Sequence, residues 1–169
     1  MDDHPHRGPN DNLVVKDARV QRAWAEFCRT QRVDAATPYQ AWYFGDSAEM
    51  AKELIDLVVH GPKRGTAGLQ WAIDRNPELA PVPHGYSVVT EYDGKPRAVL
   101  RTTDIQVKPF DQVDPQFAWD EGEGDRSLAW WRDAHWEYFS GVCRQLGLEP
   151  AADMPVVLER FELLWVVPG

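Results

Sequence analysis

The stretch GYSVVTEYDGKPRAVLRTTDIQVKPF, residues 85–110, decides the fold. Two runs rich in β-branched residues flank the dipeptide Asp93-Gly94, which is a specific signal for a tight hairpin turn. The pattern predicts that the segment 86–92 pairs with the segment 97–107 as an antiparallel hairpin.

Helical patterns surround this hairpin. Apolar residues at helical separations predict an amphipathic helix within 13–32. The ring-rich run YQAWYF, residues 39–44, predicts a short strand or an extended segment. Asp46 or Ser47 can cap the helix that follows and ends at His60-Gly61-Pro62. Four more elements are predicted: a short helix near 69–73, a short helix or turn within 110–121, a long helix within 124–147 capped by Asp125 and stopped at Gly147, and a strand within 154–167.

The elements come in mixed order without a βαβ rhythm, which predicts an α+β fold around a small antiparallel sheet or barrel. A chain of 169 residues with 43% apolar content can build one good core. Residues 1–12 are polar and contain proline and glycine, so we expect a disordered tail followed by a single domain over 13–169.

Nothing in the sequence indicates a membrane or an export signal. No stretch approaches the roughly 20 apolar residues of a membrane span, and no signal-peptide pattern is present. Cys28 and Cys143 lie far apart in helix-like stretches and are expected to be buried thiols rather than a disulfide. These features predict a cytoplasmic protein.

The formal net charge of −9 argues against a broad basic face that coats DNA or long RNA. A small, focused site for an anion remains compatible with this charge. The segment 61–108 carries seven Lys or Arg against five acids, whereas 110–137 carries two against eight. Any polyanion must therefore be bound by the middle of the chain.

That middle segment contains HGPKRGTAGLQW, residues 60–71. Its glycines and proline predict a tight loop that holds Lys63, Arg64 and Thr66 with their polar ends outward. Such a loop is either a solvated connection, a contact for a backbone phosphate, or the floor of an anion or nucleotide site.

Four blocks of the chain together resemble the bacterial branch of the ASCH (activating signal cointegrator homology) domain family. They are AWYFGDS, GPKRGTAG, RTTDIQVKPFDQVDPQFAWDEGEGDRSLAWWRDAHWEYF and DMPVVLERF, and the resemblance covers about 39–165. It implies a small PUA-like β-barrel of mainly antiparallel strands flanked by helices. It also implies a cleft associated with RNA or nucleotide ligands, since some relatives are amidohydrolases on acetylated cytidine and others are ribonucleases.

The amidohydrolase-type relatives carry a Lys and a Thr three residues apart and a later Glu. The positions that match this pattern are Lys63, Thr66 and Glu121, which the resemblance makes the catalytic candidates. The chain departs from the pattern at Gly65 and Ala67, beside the threonine, and in a longer segment over 68–84.

The chemistry of these groups suits acyl transfer from a nucleobase amide. A threonine hydroxyl becomes a nucleophile when a base accepts its proton. Lys63 beside Arg64 can be that base if uncharged, or can stabilise an oxyanion if charged. Glu121, near Asp120 and Glu123, is expected to have a raised pKa and to supply a proton to the leaving amine.

Further residues are candidates for ligand binding, each with a structural alternative. Rings can stack a base or fill the core, and the segment 121–125 can be a solvated acidic loop with Asp125 as a helix cap. His135 fits a core histidine better than a catalyst. We expect no cofactor and no metal site, and His4 and His6 in the tail are at most weak ligands. The ligand-binding candidates are Arg64, Tyr43, Trp71, Arg126, Ser127 and Trp130.

Three functions are open from the sequence. The first is binding of RNA or a nucleotide with hydrolysis of an amide on a modified nucleoside, of the acylcytidine type. The second is a non-catalytic RNA-binding module, and the third is a ribonuclease on single-stranded RNA. The expected partners are a nucleotide, a modified nucleoside or short single-stranded RNA, with neither a membrane nor extended DNA.

Overall fold

The computed structural model describes residues 18–169, and it contains the predicted hairpin. Strand β3 (Tyr86–Thr90) pairs antiparallel with β4 (Pro96–Pro109). At the turn, Gly94 has a φ of +94°, and the Asp93 carboxylate accepts a hydrogen bond from the backbone N–H of Lys95 at 2.9 Å. The aspartate thus holds the turn while the glycine supplies the left-handed backbone conformation.

Three further strands complete a five-stranded sheet: β1 (Tyr39–Trp42), β2 (Gly65–Leu69) and β5 (Pro155–Val166). The order is β1-β3-β4-β5-β2, with β1 parallel to β3 and the other neighbours antiparallel. Within residues 18–169, β1 and β2 are the two edges and do not pair with each other. The α+β class is therefore confirmed, but the expected barrel is not closed.

Five helices flank the sheet: α1 (Ala18–Gln31), α2 (Ala48–Val59), α3 (Gln70–Arg75), α4 (Pro115–Glu121) and α5 (Leu128–Leu146). Side-chain caps set where they begin: Ser47 accepts from the N–H of Met50, and Ser127 from that of Trp130, both at 3.1 Å. Ser127, not Asp125, therefore caps α5. The Asp125 carboxylate instead accepts from the N–H of Ser127 at 2.8 Å.

The apolar core divides among the helices. Helix α1 covers β1, β3 and β4, helix α2 packs beside β3 to β5, and helices α3 to α5 pack on β2 and β5. Cys28 and Cys143 are free and buried, as predicted. Among the residues described, no helix has the length and apolar character needed to cross a bilayer. The structure describes residues 18–169 and therefore does not include the predicted tail 1–12 with its two histidines, or residues 13–17.

The segment 60–66 is not the exposed loop that its glycines and proline predict. Its backbone forms hydrogen bonds with three other elements. The Lys63 N–H donates to the Leu57 carbonyl, and the Arg64 N–H donates to the Asp120 carbonyl at 2.8 Å. The Arg64 carbonyl accepts from the N–H of Phe161. The Lys63 side chain is 1% exposed, and Thr66 belongs to β2. The segment lies between α2, α4 and β5, so the lysine side chain extends into the protein instead of outward.

Gly122 fixes how closely the end of α4 approaches this segment. It ends α4 in the left-handed conformation, with a φ of +71°. A Cβ atom at this position would lie 2.8 Å from the backbone N and Cα of Lys63. Only glycine allows the two backbones to meet in this way.

We predict that Gly122→Ala destabilises the fold more than Gly147→Ala. Gly147 ends α5 with the same φ of +71°, but a Cβ atom there would meet nothing within 4 Å. The Gly147 change should cost the left-handed strain alone, about 1 kcal/mol. The Gly122 change should cost about 1 to 3 kcal/mol more because the backbones must separate. Equal free energies of unfolding in urea would contradict this close contact.

Candidate functional site

A pocket of about 570 Å³ opens beside Lys63, in the gap between the two unpaired edges of the sheet. Trp42 of β1 and Thr66 of β2 line it from opposite edges, and α5 forms another wall. Five of the nine catalytic and ligand-binding candidates line this pocket: Lys63, Thr66, Glu121, Tyr43 and Trp130.

Lys63 is buried among acceptors. Its Nζ donates to the Gly65 carbonyl at 2.7 Å and to Glu123 Oε2 at 3.0 Å, and lies 3.7 Å from Glu121 Oε1. The ammonium also lies over the Phe44 ring, 5.2 Å from its centroid. These surroundings fit a charged lysine, so of its two sequence-derived roles they favour charge stabilisation over that of an uncharged base.

Glu121 is 2% exposed, and both of its carboxylate oxygens are occupied. Oε1 accepts from His135 Nε2 at 2.8 Å, and Oε2 accepts from the indole N–H of Trp131. Burial alone raises the pKa of Glu121, but the positive charges of His135 and Lys63 outweigh it and hold the pKa well below its usual range. Glu121 is therefore ionised and fixed, in contrast to the raised pKa and solvated loop considered from the sequence.

His135 is held in the imidazolium form by its two partners. Its Nδ1 lies 2.8 Å from the carbonyl oxygen of Trp131, and its Nε2 faces the Glu121 carboxylate. Both partners are acceptors, so both ring nitrogens donate. Burial lowers the pKa of His135, but the charge of Glu121 outweighs this effect and raises it. The histidine is buried with satisfied nitrogens, as expected, but it belongs to the site.

Glu123 is the less enclosed carboxyl group of the cluster, with a side chain 14% exposed. Burial raises its pKa, Lys63 opposes this effect, and the negative charge of Glu121 adds to it, so that the pKa is about 7. This carboxyl group can accept or donate a proton near neutral pH. From the sequence Glu123 was only a neighbour of Glu121, because its distance from Lys63 depends on the tertiary fold.

Glu121, Glu123 and His135 place their ligand atoms within 4.8 Å of one another, a set that could hold a metal ion. In this arrangement the Lys63 ammonium supplies the positive charge between the two carboxylates. The imidazolium form of His135 has no lone pair for a metal. The contacts therefore fit a lysine-centred ion cluster better than a metal site.

Thr66 lies on β2 directly opposite Glu159 of β5. Within residues 18–169 its hydroxyl has no hydrogen-bond partner, so it can interact with a ligand. Glu159 accepts from Thr102 at 2.6 Å, and burial raises its pKa.

Arg64 and Trp71 do not line the pocket, contrary to the prediction. The Arg64 guanidinium donates to the carbonyls of Val58 at 3.1 Å and Lys63 at 2.6 Å. It therefore satisfies a carbonyl group at the end of α2 instead of a phosphate. Trp71 is partly buried against the core beside α5.

Arg126 and Ser127 are also absent from the pocket lining. The Arg126 guanidinium stacks on the Trp119 ring, 3.7 Å from its centroid, and donates to the Trp119 carbonyl. Ser127 is the N-cap of α5. Both residues have structural partners that sequence spacing does not reveal.

The two aromatic candidates in the pocket differ in their exposure. Tyr43 is 2% exposed and packs against Tyr92, with ring centroids 5.0 Å apart. Trp130 is only partly buried, and the backbone of Gly124 lies against its ring. Of the two, Trp130 is better placed to contact a base.

An open, mainly antiparallel sheet flanked by five helices, with a charged pocket between its edges, defines a PUA-like α+β domain. Residues 40–165 match the family model of the ASCH domain. The chain therefore belongs to the ASCH domain family, which is generally RNA-binding.

Solved structures support this membership. The ASCH domain from Lactobacillus crispatus JV V101 is 35% identical, with 87% of this chain and 94% of that chain covered and a TM-score of 0.80. Protein EF3133 from Enterococcus faecalis V583 is 29% identical, with 88% and 90% covered and a TM-score of 0.79. A comparison with curated proteins gives no match.

We predict that Lys63→Met lowers the free energy of unfolding by about 3 kcal/mol, because it leaves buried carboxylates without their ammonium. Lys52→Met is the matched control. Lys52 pairs with Asp56 at 2.6 Å but is 62% exposed, so its removal should cost less than about 1 kcal/mol. Urea unfolding of both variants tests this. Similar losses would show that Lys63 does not stabilise the cluster.

Proposed function

We propose that this protein binds a modified nucleoside in the pocket and hydrolyses an amide on its base, of the acylcytidine type. One observation carries the proposal. Lys63 and Glu123, 60 positions apart, line one pocket with the unbonded hydroxyl of Thr66. A nucleophile, a charge-stabilising ammonium and a proton-accepting carboxyl group are the parts that amide hydrolysis needs.

The charges of the pocket support a nucleoside over a phosphorylated ligand. Five carboxyl groups line it against one lysine, one arginine and one histidine. Lys63 and His135 are already paired with carboxylates, which leaves Arg144 as the other cation of the lining. A phosphate would be repelled by such a lining. RNA binding and RNA cleavage, the two alternatives from the sequence, both require contacts with phosphates.

The reaction assigns one role to each group. The Thr66 oxygen attacks the acyl carbon while Glu123 accepts its proton, and the Lys63 ammonium stabilises the oxyanion. The carbon–nitrogen bond then breaks, and Glu123 returns the proton to the exocyclic nitrogen of the base. Water, deprotonated by Glu123, then attacks the ester carbon; the bond to the Thr66 oxygen breaks, Glu123 returns the proton to that oxygen, and the free acid leaves. Glu121 positions His135 and Lys63, and does not itself transfer the proton.

We predict that the purified protein releases cytidine from N4-acetylcytidine and that Thr66→Val lowers kcat at least 100-fold, because the nucleophile is lost. Thr103→Val makes the same change at an exposed position of β4 and should leave kcat unchanged. Chromatographic detection of cytidine measures both. Absence of release by the wild-type protein would eliminate the hydrolase.

Labelled single-stranded RNA tests the alternatives. The charges of the pocket predict neither cleavage nor tight binding at physiological salt. Cleavage lost in Thr66→Val would support a ribonuclease at this site. Binding that weakens steeply with salt, without turnover of the nucleoside, would support a non-catalytic RNA-binding module.

We predict that kcat/KM rises with pH through a midpoint of about 7, the pKa of Glu123. The base must be ionised in the free enzyme, so activity is lost as the pH falls below this pKa. Glu123→Gln should remove the rising limb and lower the rate about 100-fold or more. A profile that keeps this limb in the glutamine variant would assign the proton transfer to another group.

A further inference from the structure

A second cavity of about 140 Å³ adjoins the pocket. The two share Trp42, Thr66, Ala67 and Tyr138, so the Thr66 hydroxyl belongs to a residue that lines both. Their linings differ in chemistry: carboxyl groups and cations characterise the larger pocket, and apolar side chains dominate the smaller cavity. Its apolar lining comes from the end of β2, α3, the turn after α3, α5 and β5: Leu69, Ala72, Ile73, Leu79, Pro81, Phe139, Val142 and Val157.

We propose that this cavity binds the acyl group of the substrate and selects uncharged acyl groups longer than acetyl. The inference rests on the proposed function. An acyl carbon under attack by Thr66 carries the base on one side and the alkyl chain on the other. The base occupies the larger pocket, and the chain extends into the apolar cavity.

The size of the cavity fixes the class of acyl group. An apolar cavity of about 150 Å³ in another protein accepts benzene, a six-carbon group. The 140 Å³ space therefore fits an aliphatic chain of about four to six carbons or a phenyl group. Each buried methylene should increase the specificity constant about fourfold.

The polar residues of the lining do not oppose this assignment. The Gln40 amide donates to the carbonyl of Ala80 at 3.0 Å, and Glu159 is bonded to Thr102. Each of these two groups therefore keeps a hydrogen-bond partner within the protein when an alkyl chain lies beside it. The carboxyl groups of Glu78 and Glu159 disfavour an acyl group that ends in a carboxylate.

Gly68 provides a way to fill the cavity without disturbing the fold. It lines the cavity from β2, and a Cβ atom there would meet only Ile73 Cδ1, at 4.0 Å. Its backbone is extended, a conformation that any residue adopts and that favours β-branched side chains. Gly68→Val therefore occupies space that the alkyl chain would use.

The test compares kcat/KM for N4-acetyl-, N4-butyryl- and N4-hexanoylcytidine. The wild-type values should rise about fourfold per methylene. Gly68→Val should lower the hexanoyl value at least tenfold and leave the acetyl value within about twofold, because the methyl group does not reach the filled space. Gly141→Ala is the control: it adds a methyl group on the larger pocket, 3.7 Å from an Arg144 nitrogen, and should preserve the preference for chain length.

The outcomes separate this inference from the proposed function. Turnover of the acetyl substrate with no gain from longer chains, or an equal loss for all chains in Gly68→Val, overturns the acyl site but keeps the hydrolase. If no amide is hydrolysed, calorimetry with N4-hexanoylcytidine and cytidine decides the matter. Tighter binding of the hexanoyl compound that is lost in Gly68→Val supports the alkyl site, and equal affinities in the wild type overturn it.

Discussion

The buried ammonium of Lys63 is the interaction on which the site depends. Removing an ion from water costs several kcal/mol, so the fold must supply opposite charges and hydrogen bonds from elsewhere in the chain. Glu121 is the last residue of α4 and Glu123 follows it, while Trp131 and His135 lie on α5 and hold Glu121 in place. The contact of Gly122 with the Lys63 backbone brings these parts together.

The opening in the sheet is what makes room for the pocket. A closed barrel would pair β1 with β2, yet these strands remain separate edges and line both cavities. The unpaired edge of β2 presents Thr66 and Gly68 to this space, and α5 covers it from the other side. The same departure from a closed barrel thus provides a polar pocket and an apolar cavity that meet at one threonine.

The residue patterns predicted the hairpin and the helices. The family resemblance predicted that Lys63, Thr66 and Glu121 converge. Local signals such as Asp93-Gly94 suffice for a turn because the interactions that form it are local. The burial of Lys63 was missed because glycine and proline report backbone shape and not solvent access. Arg64 was misplaced for a similar reason: its partners, the backbone carbonyls of Val58 in α2 and of Gly61 and Lys63 after it, are recognised only when the chain is folded.

Glu121 and Glu123 show how one ion cluster separates a fixed charge from a mobile proton. The pKa of Glu121 is lowered, so its stabilising effect is present above its unfolded pKa and is lost in acid. The pKa of Glu123 is raised from 4.5 to about 7, so ionising it weakens the fold as the pH rises through that interval. His135 adds to this weakening, because its raised pKa stabilises the fold only while the ring is charged. A proton acceptor near neutral pH therefore exists at the expense of stability, and the fixed charges of Glu121, His135 and Lys63 keep it in position.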